Sequence, residues 1–236
     1  MKKNVHIDNR IYPVFKIIFM SLQIENDWSN SEQTMKQQNN YLSFIVLFVF
    51  FIWIICYHIF GYIGHYGYDD LHYAKLAHDF SVTGTLEQTD HYSFRLSLIV
   101  ITSLFYSLFG MNDFASSLPS MIITSLILLL VFLILRRQGI VPLIIGLSLI
   151  ALCDWFIFWS DKIMPDIYVA FSVLLALFVI YHFKFRGNKR NIFLYASALS
   201  LALLFGFNSK ETIVLMIPLL IYLITIDIIC KRDIRF

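Results

Sequence analysis

The sequence predicts an all-α polytopic membrane protein, with about six transmembrane helices and juxtamembrane helices in its first extracytoplasmic loop. Of its 236 residues, 58% are hydrophobic and only 14% are charged, and the mean hydropathy is +0.71. This composition is too apolar for an ordinary soluble domain. The net charge of +2 gives no support to nucleic-acid binding. Cys56, Cys153 and Cys230 lie far apart in or beside apolar segments, so they indicate neither a metal clamp nor a disulfide framework.

Residues 1–40 are predicted to form a cytoplasmic tail. The tail contains a polar stretch without an assignable period, and it lacks the apolar core and cleavage site of a secretory leader. Disorder is one interpretation of it. Another is that translation begins at Met35, because the sequence from there resembles an ordinary membrane-protein start.

Six apolar runs are long enough to cross a bilayer, which takes about 20 residues of helix. They lie at 41–63, 114–135, 139–159, 167–183, 191–208 and 212–229. A seventh run, at 96–110, is shorter and matches a segment lying along the membrane. The transmembrane domain is therefore predicted to cover 41–230, followed by a short cytoplasmic end at 231–236.

The positions of Lys and Arg predict the orientation, because cytoplasmic loops carry an excess of them. If 96–110 does not cross, fourteen lie inside and four outside, whereas a crossing would put seven inside and eleven outside. The first arrangement fits the rule. The four outer residues are then Lys75, Arg95, Lys162 and Lys210. We therefore expect an integral protein of the cytoplasmic membrane with its N-terminus in the cytoplasm.

Three polar clusters share the extracytoplasmic side in this arrangement: 67–80, 159–166 and 208–212. A charge at the centre of a bilayer costs about 2.5–3.5 kcal/mol, so we expect these groups at the membrane surface or around a wet cavity. Asp154 lies inside the third predicted span, and a lone intramembrane carboxylate is a functional candidate.

The first cluster is predicted to begin with a helix lying on an apolar surface. Its apolar stripe at helical spacing consists of Tyr73, Leu76, Ala77 and Phe80. Asp69 and Asp70 stand at the helix start. There they can cap free backbone N–H groups, or act as a pair in proton transfer or cation binding. Spacing alone leaves both interpretations open.

The string "YDDLHYAKLAHDFSVTGTL" resembles the first extracytoplasmic loop of the GT-C glycosyltransferases. The likeness is to the branch of protein O-mannosyltransferases and lipid A aminoarabinose transferases. That loop carries Asp, then Asp or Glu, then two residues, then Tyr and Ala. Asp69, Asp70, Tyr73 and Ala74 occupy these positions in the present sequence.

The resemblance continues in order along about residues 41–230. Arg95 precedes an apolar helix that ends in Phe-Gly, as in the family. "DFASSLPS" is similar to the family's Glu-Phe-Ala-Ala-Arg-Leu-Pro-Ser, with Ser117 in place of the arginine. "MPDIYVAF" supplies Asp166, and "NSKET" supplies Lys210.

The resemblance implies transfer of a sugar from a polyprenyl-phosphate carrier to a lipid, glycan or protein acceptor outside the cytoplasm. In the family the first aspartate is the reacting group, which implies Asp69 as the base. Asp70 and Asp166 would position the acceptor or a metal, while Arg95 and Lys210 would bind the donor phosphate. Other residues are expected to line the cavity: Tyr73, Asp154, Asp161 and Glu211.

Each of these assignments has a structural alternative. Arg95 can be an interfacial anchor whose charge reaches the headgroups. Lys210 with Glu211, and Asp161 with Lys162, can be ordinary surface ion pairs.

A divalent metal is a further candidate, held by Asp69 or Asp70. Four histidines surround that pair: His65, His72, His78 and His91. None of them has the spacing of an HExxH zinc motif, so protein-bound zinc is the less favoured form of the site.

Family members are usually longer, so the chain is interpreted as a truncated or split product, or as a compact relative. The competing class of function is a non-enzymatic membrane protein, such as a lipid-carrier flippase subunit or a transporter. Inverted repeats would favour a transporter, and the two halves of the sequence show none.

Overall fold

The computed structural model of the protein describes residues 41–86, 90–186 and 192–222. The predictions made for residues 1–40 and 231–236 lie outside these ranges. The chain divides into two compact units, Met1–Ile45 and Val46–Phe236. In the first unit only residues 41–45 are described, and they begin the first helix. Everything below concerns the second unit.

Within the described ranges the protein is built from nine helices and has no strand. The helices are α1 Tyr41–Gly61, α2 Gly67–Thr83, α3 Leu96–Phe109, α4 Asp113–Leu135, α5 Ile140–Ala151, α6 Asp154–Trp159, α7 Pro165–Arg186 and α8 Ile192–Phe207, and α9 Glu211–Tyr222. The first turns of α9, Glu211–Met216, are 3₁₀. The predicted all-α class is confirmed.

Three helices in the described ranges are long and apolar enough to cross a membrane, namely α1, α4 and the part Pro165–His182 of α7. Four shorter apolar helices accompany them: α3, α5, the part Phe193–Phe207 of α8, and α9. The run predicted as the last span, 212–229, continues beyond the described residues. With its 14 residues, α3 extends about 21 Å, less than the roughly 30 Å of a hydrocarbon core.

The third predicted span, 139–159, is not a single helix. Helix α5 ends at Ala151, Cys153 adopts an extended conformation, and α6 starts at Asp154. An acidic residue is favourable in the first turn of a helix, so Asp154 suits a new start. The Trp53 indole N–H donates to the Ala151 carbonyl at 3.0 Å, which satisfies one of the carbonyls freed where α5 stops.

The apolar stripe predicted for the first cluster forms the buried face of α2. Tyr73 and Ala77 are fully buried, and Leu76 and Phe80 pack partly buried against the same core. This core joins α2 to α3, α4 and the start of α7. The stripe thus fixes which way α2 turns its remaining side chains.

A close approach of α8 to α7 positions the loop that follows α8. A Cβ on Gly206 would lie 2.3 Å from the Ser172 hydroxyl oxygen, so only glycine fits at this crossing. The Ser172 hydroxyl donates to the carbonyl of Ala202 at 2.5 Å. The crossing carries Lys210 to the N-terminal end of α7, where Asp166 stands.

Candidate active site

Asp69 lies in the first turn of α2 and is partly exposed. One of its carboxylate oxygens accepts a hydrogen bond of 2.8 Å from the Tyr92 hydroxyl. This bond is the main cause of a raised pKa at Tyr92, because ionising the phenol would destroy it. Asp69, the aspartate at the first position of the predicted motif, is therefore fixed by a hydrogen bond and remains accessible to solvent.

The segment that carries Tyr92 is attached to α2 through Asp90. The Asp90 carboxylate accepts from the backbone N–H groups of Tyr92 at 3.0 Å and Ser93 at 3.1 Å, and lies 2.8 Å from His72 Nε2. Burial opposes ionisation of this carboxyl, but the Ser93 N–H and His72 outweigh it, and the pKa of Asp90 is lowered. These contacts of Asp90 also help to position Arg95, which follows Ser93 closely in the same segment.

Arg95 packs against two tyrosine rings, with its guanidinium carbon 5.6 Å from the ring centroid of Tyr73 and 5.9 Å from that of Tyr92. These distances are in the range of cation–π attraction. Its Nε is buried and has no hydrogen-bond partner among the described residues. Arg95 also lines a cavity of about 340 Å³ together with Lys210 and Glu211. The two residues predicted to bind phosphate therefore share one cavity.

Lys210 forms an ion pair with Asp166, with 2.8 Å between Nζ and the carboxylate. The pair is open to solvent, since the two side chains are 29% and 50% exposed. The partner of Lys210 in the structure is thus Asp166 on α7 and not the neighbouring Glu211 of the predicted surface pair. Asp166 and Lys210, 44 residues apart, are brought together as the predicted site requires.

Tyr73 stands at the centre of this group. Its ring is fully buried, and its hydroxyl has no hydrogen-bond partner among the described residues. Burial raises the pKa of this phenol, the charge of Arg95 opposes the increase, and the carboxylates of Asp69 and Asp166 add to it. The charges of three predicted site residues therefore act on one side chain. We call the group of Asp69, Tyr92, Arg95, Asp166 and Lys210 the rim.

Asp70, the neighbour of Asp69, has a different environment. Its side chain is 0% exposed, and its oxygens accept the backbone N–H of Tyr66 at 2.9 Å and that of Ile163 at 2.8 Å. His65 Nδ1 lies 3.3 Å away, and the hydrogen bond to Asp70 raises the pKa of His65. Of the two interpretations left open for Asp70, the geometry supports the helix cap, extended by a tie to the loop before α7.

Asp161 and Lys162 are not a surface pair, so that prediction is wrong. They are only 4% and 2% exposed, and Lys162 Nζ lies 2.9 Å from the Asp161 carboxylate. His58 Nδ1 approaches the same carboxylate at 3.4 Å. Lys162 also donates to the Gly64 carbonyl at 2.8 Å and stands 4.6 Å from the ring centroid of Tyr62.

The physical reason for this burial is that the turn between α6 and α7 folds beneath the link between α1 and α2. Its charges then find partners there instead of water, as buried charges require. The Asp161 carboxylate, expected to line the catalytic cavity, instead contacts Lys162 and His58 in the interior. We call this group of buried and partly buried ionisable side chains the clamp; its members are His58, His65, Asp70, Asp161 and Lys162.

Asp154 does not join the rim. It is exposed and lines a separate cavity of about 510 Å³ with Tyr57, Tyr66, Trp155 and Trp159. Asp154 therefore does not share the cavity of Arg95 and Lys210 as expected, and it begins a new helix, α6, because α5 stops before it.

The described residues do not fit a protein-bound metal ion. No three side chains of His, Cys, Asp or Glu among them are arranged to hold one. Asp70 is engaged by backbone N–H groups, and His72 by Asp90. His78 lies against Asp79 at 3.5 Å. No chemical step is therefore derived through a metal.

Sequence reasoning missed Tyr92 and Asp90 as parts of the site. The signal available was the string "DHYSFR", in which an aspartate two residues before a tyrosine can form a turn by accepting the N–H ahead of it. The partner His72 lies 18 residues away, and nothing local indicates that pairing.

The model of the dolichyl-phosphate-mannose-protein mannosyltransferase family matches residues 98–234, which is more than half of the chain. No curated protein and no solved structure matches it. The matched range includes Asp166 and Lys210, and it begins after Arg95, so it includes neither Asp69 nor Arg95. The chain belongs to the dolichyl-phosphate-mannose-protein mannosyltransferase family, as its GT-C resemblance predicted, and is a membrane glycosyltransferase.

Proposed function

We propose that the protein transfers a sugar from a polyprenyl-phosphate donor to an acceptor hydroxyl outside the cytoplasm, and that the reaction takes place at the rim. One observation carries this proposal. A partly exposed carboxylate, Asp69, stands in the same group of side chains as two cations, Arg95 and Lys210, that share a cavity. The distribution of Lys and Arg along the sequence supports the extracytoplasmic side of the membrane as the place of the reaction.

Asp69 is suited to act as the base. One of its oxygens is fixed by the Tyr92 hydroxyl, and the other has no hydrogen-bond partner among the described residues. A carboxylate held in this way can accept the proton of an acceptor hydroxyl. The acceptor oxygen then bonds to the anomeric carbon of the sugar while the bond from that carbon to the phosphate oxygen breaks.

Arg95 and Lys210 are suited to the leaving group, which departs as a polyprenyl phosphate with added negative charge. Arg95 offers N–H donors in a planar fork, including the unpartnered buried Nε. Lys210 supplies a point charge, at present shared with Asp166. Preorganised positive charge where negative charge develops lowers the barrier.

The substrates are proposed only as classes. The printed name of the family gives dolichyl phosphate mannose as donor and protein as acceptor for its members. For this chain we propose a polyprenyl-phosphate sugar as donor and a lipid, glycan or protein as acceptor. The net charge of +2 gives no support to a nucleic-acid partner.

The test is transfer from a radiolabelled polyprenyl-phosphate sugar by the purified protein in lipid nanodiscs. Asp69→Asn keeps the shape of the side chain and removes its basicity, so we expect turnover to fall by about 10²–10⁴, the usual contribution of a general base. Arg95→Ala should also reduce transfer. Asp79→Asn is the matched control, because Asp79 is an exposed carboxylate on the same helix, and it should keep the wild-type rate.

Equal transfer by wild type and Asp69→Asn would contradict the assignment of the base. No transfer by the wild type with any acceptor, together with movement of lipid carrier across the membrane of proteoliposomes, would favour a flippase subunit or transporter.

A further inference from the structure

A second cavity lies apart from the rim, at the end of α1. It measures about 510 Å³. Its lining residues are Tyr57, Tyr66, Asp154, Trp155, Ile157, Phe158 and Trp159. One carboxylate and five aromatic side chains thus surround the space, and none of the described residues that line it is a Lys, Arg or His. Such a lining is unsuited to a phosphate group, so this cavity does not extend the proposed donor site.

The aromatic rings form a continuous set of faces and edges. The indoles of Trp155 and Trp159 are stacked, with 6.0 Å between centroids and an interplanar angle of 21°. Phe158 meets Trp159 edge-on at 4.8 Å, and Tyr66 meets Phe158 edge-on at 5.0 Å. Trp155 remains 70% exposed, so a ring face is available to a ligand.

Asp154 is a charged group without a partner in this aromatic setting. It makes no hydrogen bond or ion pair with any residue in the described part of the chain, unlike Asp70, Asp161 and Asp166. The electron-rich faces of Trp and Tyr attract cations, and a carboxylate adds a full opposite charge. The ligand that uses both features is an organic cation, and an ammonium group is the form that fits among rings.

The depth of the cavity indicates where this cation comes from. Tyr57 stands four residues before the end of α1 at Gly61, about 6 Å along the helix. Since the 21 residues of α1 extend about 31 Å, close to the roughly 30 Å of a hydrocarbon core, the end of α1 is expected at the boundary with the lipid headgroups. Tyr57 then lies just inside this boundary, and Tyr66, in the link that follows α1, lies at the level of the headgroups. Trp and Tyr are commonly found at this level.

We propose that this cavity binds the ammonium headgroup of a membrane phospholipid, of the choline or ethanolamine type. Asp154 is the counter-charge, and Trp155, Trp159 and Tyr66 provide the ring faces. The bound lipid would stand beside the first turn of α2, since Tyr66, which lines the cavity, donates its backbone N–H to the Asp70 carboxylate in that turn. The proposal is independent of the sugar-transfer reaction.

The experiment uses the full chain in nanodiscs of phosphatidylglycerol, which has no ammonium group. Choline chloride is titrated while tryptophan fluorescence is recorded, and 3,3-dimethylbutanol serves as the neutral probe of the same shape. We expect a saturable change with choline and none with the neutral probe. Asp154→Asn should weaken choline binding at least about tenfold, which corresponds to 1.4 kcal/mol. Asp79→Asn should leave it unchanged, and both variants should keep the wild-type melting temperature.

A second arm tests the source of the ammonium group. In nanodiscs of phosphatidylcholine the lipid should fill the cavity, so added choline should cause no further change. Persistence of the full choline response there would overturn the lipid assignment. An equal response to choline and to the neutral probe would overturn the whole proposal in favour of an apolar interfacial belt. Saturation by a methyl glycoside, with no response to choline, would overturn it in favour of a sugar subsite.

Discussion

Asp69 and Asp70 are neighbours in sequence, yet they belong to different regions of the molecule. Asp69 is partly exposed and, within the described part of the chain, accepts one hydrogen bond, from the Tyr92 hydroxyl. Asp70 has no exposed side-chain surface and accepts two backbone N–H groups. Two neighbouring carboxylates thus differ in their environment: Asp69 is accessible to solvent, and Asp70 is buried and bound by the backbone.

The same contrast separates the rim from the clamp. In the rim, the ion pair of Lys210 and Asp166 is open to water and can be exchanged for a ligand. In the clamp, the pair of Lys162 and Asp161 is shielded from water and has its geometry set by the backbone. A buried charge without its partner is costly, so the clamp cannot release its charges as the rim can. The two ion pairs therefore differ in how readily their charges can change partners.

The largest expected effect follows from removing the cation of the clamp. Lys162→Met leaves the buried carboxylate of Asp161 without its closest partner, and breaks the hydrogen bond to Gly64. We expect the free energy of unfolding to fall by about 3–5 kcal/mol, measured by chemical denaturation in detergent micelles. Lys75→Met is the control, since Lys75 is exposed on α2. Equal, small effects of the two substitutions would mean that Lys162 is not buried.

The next largest effect on stability is expected from substituting Asp70, in comparison with the same substitution of Asp69. Asp70→Ala leaves the N–H groups of Tyr66 and Ile163 without their acceptor, and a buried N–H without a partner, as at Ile163, costs about 1–3 kcal/mol. We expect a loss of stability of about 3 kcal/mol and a much smaller loss for Asp69→Ala. The same denaturation assay measures both. A larger loss for Asp69→Ala would invert the division between rim and clamp.

Much of the fold was predictable because local patterns determine it. Composition predicted an all-α membrane protein, and the spacing of Tyr73 and Ala77 predicted the buried face of α2. Helical period and hydropathy are local properties, and burial of an apolar stripe follows from them. The meeting of Arg95 and Lys210 was predicted through the family resemblance, which carries three-dimensional information that periodicity lacks.

The contacts that the sequence did not predict concern charges whose partners are distant in sequence. The Asp70 carboxylate accepts from the Ile163 N–H, 93 positions away in sequence, and Lys162 Nζ donates to the Gly64 carbonyl, 98 positions away. Composition treats a Lys or Asp in a loop as solvated, whereas tertiary packing places it inside. The break before Asp154 was missed because averaging over 139–159 conceals a single extended residue, Cys153.

A pH dependence of stability is expected from the clamp at His65. The hydrogen bond with Asp70, the largest contribution, raises its pKa above the ordinary value of 6.5, although burial opposes this increase. The protonated form therefore stabilises the folded state. That contribution is fully present below about pH 6.5 and is lost as the pH rises through the folded-state pKa.

Melting temperatures of wild type and His65→Gln at pH values from about 6 to 9 measure this effect. The wild type should lose stability relative to the variant as the pH increases. His91→Gln is the control, because His91 is exposed and contacts Tyr92 only through its ring. A difference that grows in the opposite direction, or that His91→Gln reproduces, would contradict the role of His65.

The smallest effect on stability is expected in the rim. Lys210→Met removes an ion pair that is open to solvent, so stability should change by less than about 1 kcal/mol. A double-mutant cycle with Asp166→Asn should give a coupling energy in the same low range, measured by denaturation. The variant should nevertheless raise the KM for the anionic donor. A strong coupling with an unchanged KM would mean that this pair holds α9 to α7, and only Arg95 would then remain to bind the phosphate.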